Sequence, residues 1–173
     1  MKKVLLILFF IILQENLIAQ NIDTEKETLE TIEWLNSKFV EFKYNTHEVE
    51  QVFLINDIRE FDNELYLSGV KQQNTDNPLA AFKAIFGIPI LKINSIRFEE
   101  KTNNYWAIIS MKNEQESILL FNGEGDGNLI GKYKDIAIIM DKAIDNEKLR
   151  PRIIKAFNYL IELHGNNKIE EKF

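Results

Sequence analysis

The densest cluster of potential chemistry is Asn122-Gly123-Glu124-Gly125-Asp126-Gly127-Asn128, where oxygen-bearing side chains alternate with glycines that let the backbone turn sharply. Hard cations, calcium above all, are held by such rings of oxygen. Counted as an EF-hand loop from Asn122, the segment puts Glu124, Asp126 and Asn128 at ligand positions, Gly127 at the sharp turn and Leu129 in the hydrophobic slot. Two positions depart from that pattern. An amide stands where the first carboxylate belongs, and Tyr133 stands where a bidentate glutamate closes the site. The flanking segments read as strands, so the alternative is a loop between two strands, built of the glycine and short polar residues that turns ordinarily use.

Other chemistries are thinly represented. The two histidines, His47 and His164, stand in no HExxH or similar ligand pair. His47 is followed by Glu48 and Glu50 and suits a solvated turn. His164 continues the apolar face of the last helix beside Gly165, where a partly buried cation at a helix C-terminus is a sufficient reading. No serine lies in a Gly-x-Ser-x-Gly elbow, the absence of cysteine excludes thiol chemistry, and the seven glycines contain no phosphate-binding fingerprint. Asp57 and Glu60 could be imagined as a glycosidase dyad, but spacing in sequence does not fix the separation of two carboxyl groups. No catalytic residue is therefore assigned.

A ligand could instead be held by apolar residues. Leu79 to Leu91 is nearly all apolar, broken by Lys83, Gly87 and Pro89, and follows the polar stretch Asn74-Thr75-Asp76-Asn77-Pro78. It is too short to span a bilayer. As a core element it predicts a short helix over Leu79–Phe86 leading into a strand at Ile88. As a functional element, Phe82, Ile85 and Phe86 would line or cover an apolar groove in the manner of a lid.

These residues must be positioned by the elements around them. Thr24 and Glu27 fit a capping box, and Thr28, Leu29, Ile32, Leu35 and Phe39 recur at spacings of three and four, which predicts an amphipathic helix over 24–40 with Trp34 near the edge of its stripe. From Glu48 onward, short runs rich in Val, Ile, Phe and Tyr alternate with turn residues. Strands are expected at Glu48–Asn56, Glu64–Lys71, Ile88–Ile93, Ser95–Glu100, Tyr105–Met111, Ser117–Asn122 and Lys134–Met140. The polar breaks at 101–104 and 112–115 predict hairpins on either side of each, and hence a meander. Pro151 suits a first helical turn, Ile153, Phe157, Leu160 and Ile161 share one face, and Gly165 supplies the stop. The sum is an α+β domain: an N-terminal helix, about seven antiparallel strands in a curved sheet or barrel, and a C-terminal capping helix.

Seven strands closed by such a helix resemble a pleckstrin-homology-like barrel preceded by one extra helix. Glu27-Thr28 to Ile32 and Leu35, together with Arg152-Ile153-Ile154-Lys155-Ala156-Phe157 to Leu160, resemble small exported bacterial proteins of no assigned activity. The shared residues pack helices, so the resemblance implies fold and brings no catalytic site. Phosphoinositide binding is not carried over, because no dense basic cluster occurs in the first strands.

Residues 1–19 read as a secretory signal peptide: Lys2 and Lys3 give the positive region, Val4 to Leu13 the apolar run, and Leu17-Ile18-Ala19 the cleavage site. Export to the periplasm or the exterior is the expectation. Without cysteine the mature chain has no lipid-attachment residue and no disulfide, and hence no stable membrane anchor. Cleavage removes two lysines and one glutamate and moves the formal charge from −6 to −7. An acidic surface repels phosphate backbones, so nucleic acid is excluded as a partner. Residues 20–165 form a single domain, with 166–173 a flexible tail. The leading expectation is a non-catalytic exported domain that binds a protein partner or small apolar ligand, or serves a structural role. The alternatives are a secreted hydrolase with a dispersed site drawn from His47, Asp57 or Glu124, and a calcium-binding loop at 122–128. No other cofactor is expected.

Overall fold

The computed structural model describes residues 23–44, 53–72, 81–123 and 127–166. Helix α1, residues 23–41, is followed by eight strands, β1 (Phe53–Phe61), β2 (Glu64–Gln72), β3 (Ala81–Pro89), β4 (Ile93–Glu100), β5 (Asn104–Met111), β6 (Ile118–Asn122), β7 (Leu129–Tyr133) and β8 (Asp135–Asp141), and by helix α2 (Leu149–Asn166). The strands form one sheet curled into a half-barrel, in the order β4-β5-β8-β1-β2-β3-β6-β7. The expected α+β architecture is therefore present, with one strand more than the seven anticipated.

Both helices bury their stripes against this sheet. Ile32, Leu35 and Phe39 of α1 and Ile153, Phe157 and Leu160 of α2 join a single core with the inward residues of the strands. Phe39 meets Phe157 edge-on, with ring centroids 6.2 Å apart. On the outer seam between the helices, the Tyr159 hydroxyl donates to Glu27 at 2.5 Å, and the Arg152 guanidinium lies 5.3 Å from the Trp34 ring centroid. Trp34 is thus packed as the seam of two helices. No helix among the described residues is long and apolar enough to cross a membrane.

Four expectations need correction. The strand expected at Ile88–Ile93 is split, because β3 ends at Pro89, Ile90–Lys92 form one 3-10 turn and β4 begins at Ile93. The helix over Leu79–Phe86 is absent where described: residues 81–89 form β3, paired with β2 along its whole length and with β6 over Ala84–Gly87. The run was apolar because it lies between two strands, and an apolar run of this length has no period that separates strand from helix. The break at 112–115 does not make a hairpin. Asn113 and Glu114 adopt left-handed backbone (φ 57° and 53°), and the chain leaves β5, which pairs with β4 and β8, to reach β6, which pairs with β3 and β7. Finally, β7 was not anticipated, because its five residues follow the glycine-rich loop directly.

The opening of the half-barrel determines where a site can lie. Strand β1 runs parallel to β8 and pairs with it at Phe53↔Ile138, after which the two diverge. The residues after α1 occupy the next stretch of that edge, with Lys43 bridging Met140. Farther along, α1 covers β1 directly, and the Ile58 N–H donates to the Asn36 side chain at 2.9 Å instead of to a strand. A buried N–H without such a partner would be costly, so this contact fixes α1 against β1.

Candidate functional site

The far end of β1 turns into β2 through Asp62 and Asn63, both in left-handed backbone (φ 53° and 62°). That pair of angles defines a two-residue hairpin turn of the primed type, which Asn and Asp tolerate best among residues with a side chain. Asn63 is anchored three times. Its N–H donates to the Glu60 carboxylate at 2.9 Å, its carbonyl accepts from the Ile90 N–H at 3.0 Å, and its Oδ1 lies 2.8 Å from Nδ1 of His164.

His164 sits in the last turn of α2, seven residues beyond Phe157 and four beyond Leu160 on the same face, and is 8% exposed. Because an amide oxygen can only accept, Nδ1 carries the proton, and Nε2 is left as a lone pair. Nε2 is buried and has no hydrogen-bond partner among the described residues. Burial holds the imidazole below the ordinary histidine range, with the Glu60 carboxylate pulling in the opposite direction. The expectation of a cationic His164 is therefore corrected: near pH 7 the ring is neutral.

His164 and Asn63 form part of the lining of a cleft of about 390 Å³ between the start of α1, the β1–β2 turn and the end of α2. Thr24, Glu25, Thr28, Leu29 and Ile32 line it from α1, and Glu60 and Asp62 from the hairpin. Three carboxylates line the cleft, and its described lining residues include no lysine or arginine. Its volume falls within the range of small-molecule sites.

The residues singled out in the sequence are distributed elsewhere. Phe82 and Phe86 share one face of β3; Phe86 is buried against Phe53 and Tyr133, with centroids 4.8 and 6.0 Å away, while Ile85 takes the opposite face. Glu124, Asp126 and His47 lie outside the described residues. Asn128 is exposed, and its carbonyl accepts from the Asn122 N–H at 2.9 Å, which closes the loop between β6 and β7. Asp57 pairs with Arg59 at 2.6 Å away from the cleft. Among the described residues no group of three or more His, Asp and Glu side chains could hold a metal ion. Sequence reasoning passed over Asn63, although Asp62-Asn63 between two strand patterns is itself a hairpin signal.

A stability effect follows from the buried ring. In the unfolded chain His164 titrates near pH 6.5, whereas the folded ring, buried against Asn63 and lining a cleft shared with Glu25 and Thr28 of α1 and Glu60 and Asp62 of the hairpin, protonates at lower pH. Between those two values the unfolded chain binds more protons, so stability falls as pH drops from 6.5 through the folded value. Thermal midpoints measured from pH 8 to pH 5 should fall in that window, and H164N, whose amide can still donate to Asn63, should flatten the decline. An identical slope in the variant would remove His164 from the account.

No family model, no curated protein and no solved structure matches this chain, and the cleft around His164 carries the functional reading.

Proposed function

We propose that this chain is an exported, non-catalytic binding domain and that its ligand occupies the cleft formed by α1, the β1–β2 turn and the end of α2. The observation that carries this reading is the cleft itself, where His164, a buried imidazole held by Asn63, meets the start of α1 and the β1–β2 turn. Elsewhere the core is filled by packed aliphatic and aromatic side chains. A hydrolase needs a second group tuned in opposition to the first, an acid against a base, and converging on the same atoms. In the cleft, burial holds the His164 imidazole below the ordinary histidine range.

Two measurements test the proposal. Protein recovered from outside the cytoplasm of producing cells should begin at Gln20, and recovery of the uncleaved chain from the cytoplasm alone would reject export. A panel of chromogenic esters, glycosides and phosphate esters should show no turnover. Turnover that disappears in H164N would make the same cleft an active site and overturn the non-catalytic reading.

A further inference from the structure

The outer seam where α1 meets α2 carries chemistry of its own, apart from the cleft. Tyr159 of α2 meets Glu27 of α1, and Arg152 of α2 meets Trp34 of α1, so the two helices run antiparallel along it. An open groove of about 560 Å³ lies between them. From Glu27 to Trp34, and from Arg152 to Tyr159, each wall covers about 10 Å of helix at the usual rise per residue. The lining includes Trp34, Tyr159 and Arg152, the three residue types that most often anchor protein interfaces.

Charge is divided along this groove. Because the helices are antiparallel, Glu27 marks one end and Arg152 the other, with Glu30 and Lys155 between them on opposite walls. Both cations are exposed, and neither pairs with a carboxylate among the described residues; Arg152 lies over the Trp34 ring instead. Glu30 reaches Lys26 at 3.9 Å, with both side chains mostly exposed, a pairing that water largely screens. The seam therefore presents an acidic end and a basic end that do not neutralise each other.

A surface charged in this way is complementary to its own copy. A two-fold axis lying in the contact plane, perpendicular to the line joining the two ends, lays the acidic end of one copy on the basic end of the other. We propose that this seam is the interface of a reversible homodimer, in which Glu27 and Glu30 of one copy face Arg152 and Lys155 of the other, and Trp34 and Tyr159 supply apolar contact. The chain has a formal charge of −6, so two copies repel at long range. Within a Debye length of about 8–10 Å the nearest charges decide, and across the two-fold those are opposite. A patch this short makes a weak dimer, with a dissociation constant on the order of 100 μM.

Sedimentation equilibrium of the chain as recovered from producing cells tests this. At low salt the mass should rise with concentration toward twice that of the monomer, and salt at about 0.5 M should weaken association at least tenfold. R152E/K155E makes the seam acidic throughout, and E27K/E30K makes it basic throughout; each should weaken self-association at least tenfold. An equimolar mixture of the two should restore it, because each carries the charge that the other has lost. All four positions are exposed, circular dichroism melts check that the variants fold, and the single variants K155E and E30K replace any double variant that does not. A monomer at every concentration overturns the proposal and leaves the seam to a different partner. A dimer that neither variant weakens lies on another surface, and the proposal fails. Variants that stay monomeric when mixed show that these charges do not meet across a two-fold axis, which also overturns it. None of the substituted residues lines the cleft, so its reading is tested separately.

Discussion

Phe157→Ala should lower unfolding free energy by about 4 kcal/mol, within the 3–5 kcal/mol typical of deleting a buried phenyl ring. The ring is 1% exposed, lies mid-helix in α2 and meets Phe39 of α1 edge-on at 6.2 Å. Its removal opens a cavity where both helices converge on the sheet. A domain of this size has about 5–15 kcal/mol in total, so the loss removes between about a quarter and four-fifths of its margin. The neighbouring exposed Asn158→Ala should change stability by less than about 0.5 kcal/mol. Urea unfolding measures both, with the midpoint falling for Phe157→Ala at an unchanged slope. A loss under about 1.5 kcal/mol would mean that α2 is not docked through this face. The prediction extends to the cleft, because His164 follows Phe157 by two helical turns on the same side. Loosening α2 should weaken the His164–Asn63 contact and shift the His164 imidazole signal without any change to a cleft residue.

The helices were legible because each carries its instruction locally. Spacings of three and four from Thr28 to Phe39 and from Ile153 to Leu160 specify a buried stripe wherever the helix docks, and the described helices, 23–41 and Leu149–Asn166, follow them. Strands β2, β4, β5, β6 and β8 were legible for a similar reason, as short apolar runs between polar breaks. Their partners were not. The polar break after β5 resembles the one after β4, yet only the latter closes a hairpin, because Asn113 and Glu114 send the chain to a distant part of the sheet. The residues 81–89 show the same limit: they become a strand because β2 and β6 offer hydrogen bonds on both sides, a fact located in other segments.

The cleft was less legible still. Its central contact joins His164 to a residue 101 positions earlier in the chain. Read locally, a histidine at a helix C-terminus is stabilised as a cation by the helix dipole. Burial against the β1–β2 turn outweighs that effect and favours the neutral ring. The residues that seemed chemical in sequence, the glycine-rich loop and the apolar run, were noticed for composition, whereas the cleft is made from scattered Thr, Glu, Asp and Asn that each look like ordinary surface.

Gly69→Val should destabilise the chain by about 3 kcal/mol or more, at the upper end of the range for forcing atoms into a packed interior. Gly69 lies opposite Ile55 on β1, where the register slips between Ile55 and Asp57 and Asn56 becomes an extra residue. A β-carbon there would collide with the Leu54 carbonyl oxygen and lie 2.8 and 2.9 Å from ring carbons of Phe53. Neither neighbour can yield cheaply. The carbonyl is backbone, and Phe53, through which β1 pairs with β8, has its ring buried 4.8 Å from that of Phe86 on β3. Displacing Phe53 therefore strains the inner packing and the β1–β8 junction together. Gly127, where φ is +64° but nothing lies within 4 Å of an added β-carbon, separates steric from conformational cost. Gly127→Ala should lose about 1 kcal/mol from left-handed strain alone. Urea midpoints of the two variants should differ in that order, and comparable losses would show that Gly69 is needed only for its backbone freedom. The consequence reaches the cleft because the slip at Asn56 sets the course of β1 toward Ile58, where Asn36 fixes α1, and on to the Asp62-Asn63 turn. A strand without that slip would present alternate faces beyond it, and Asn63 would no longer meet His164 across the opening of the half-barrel.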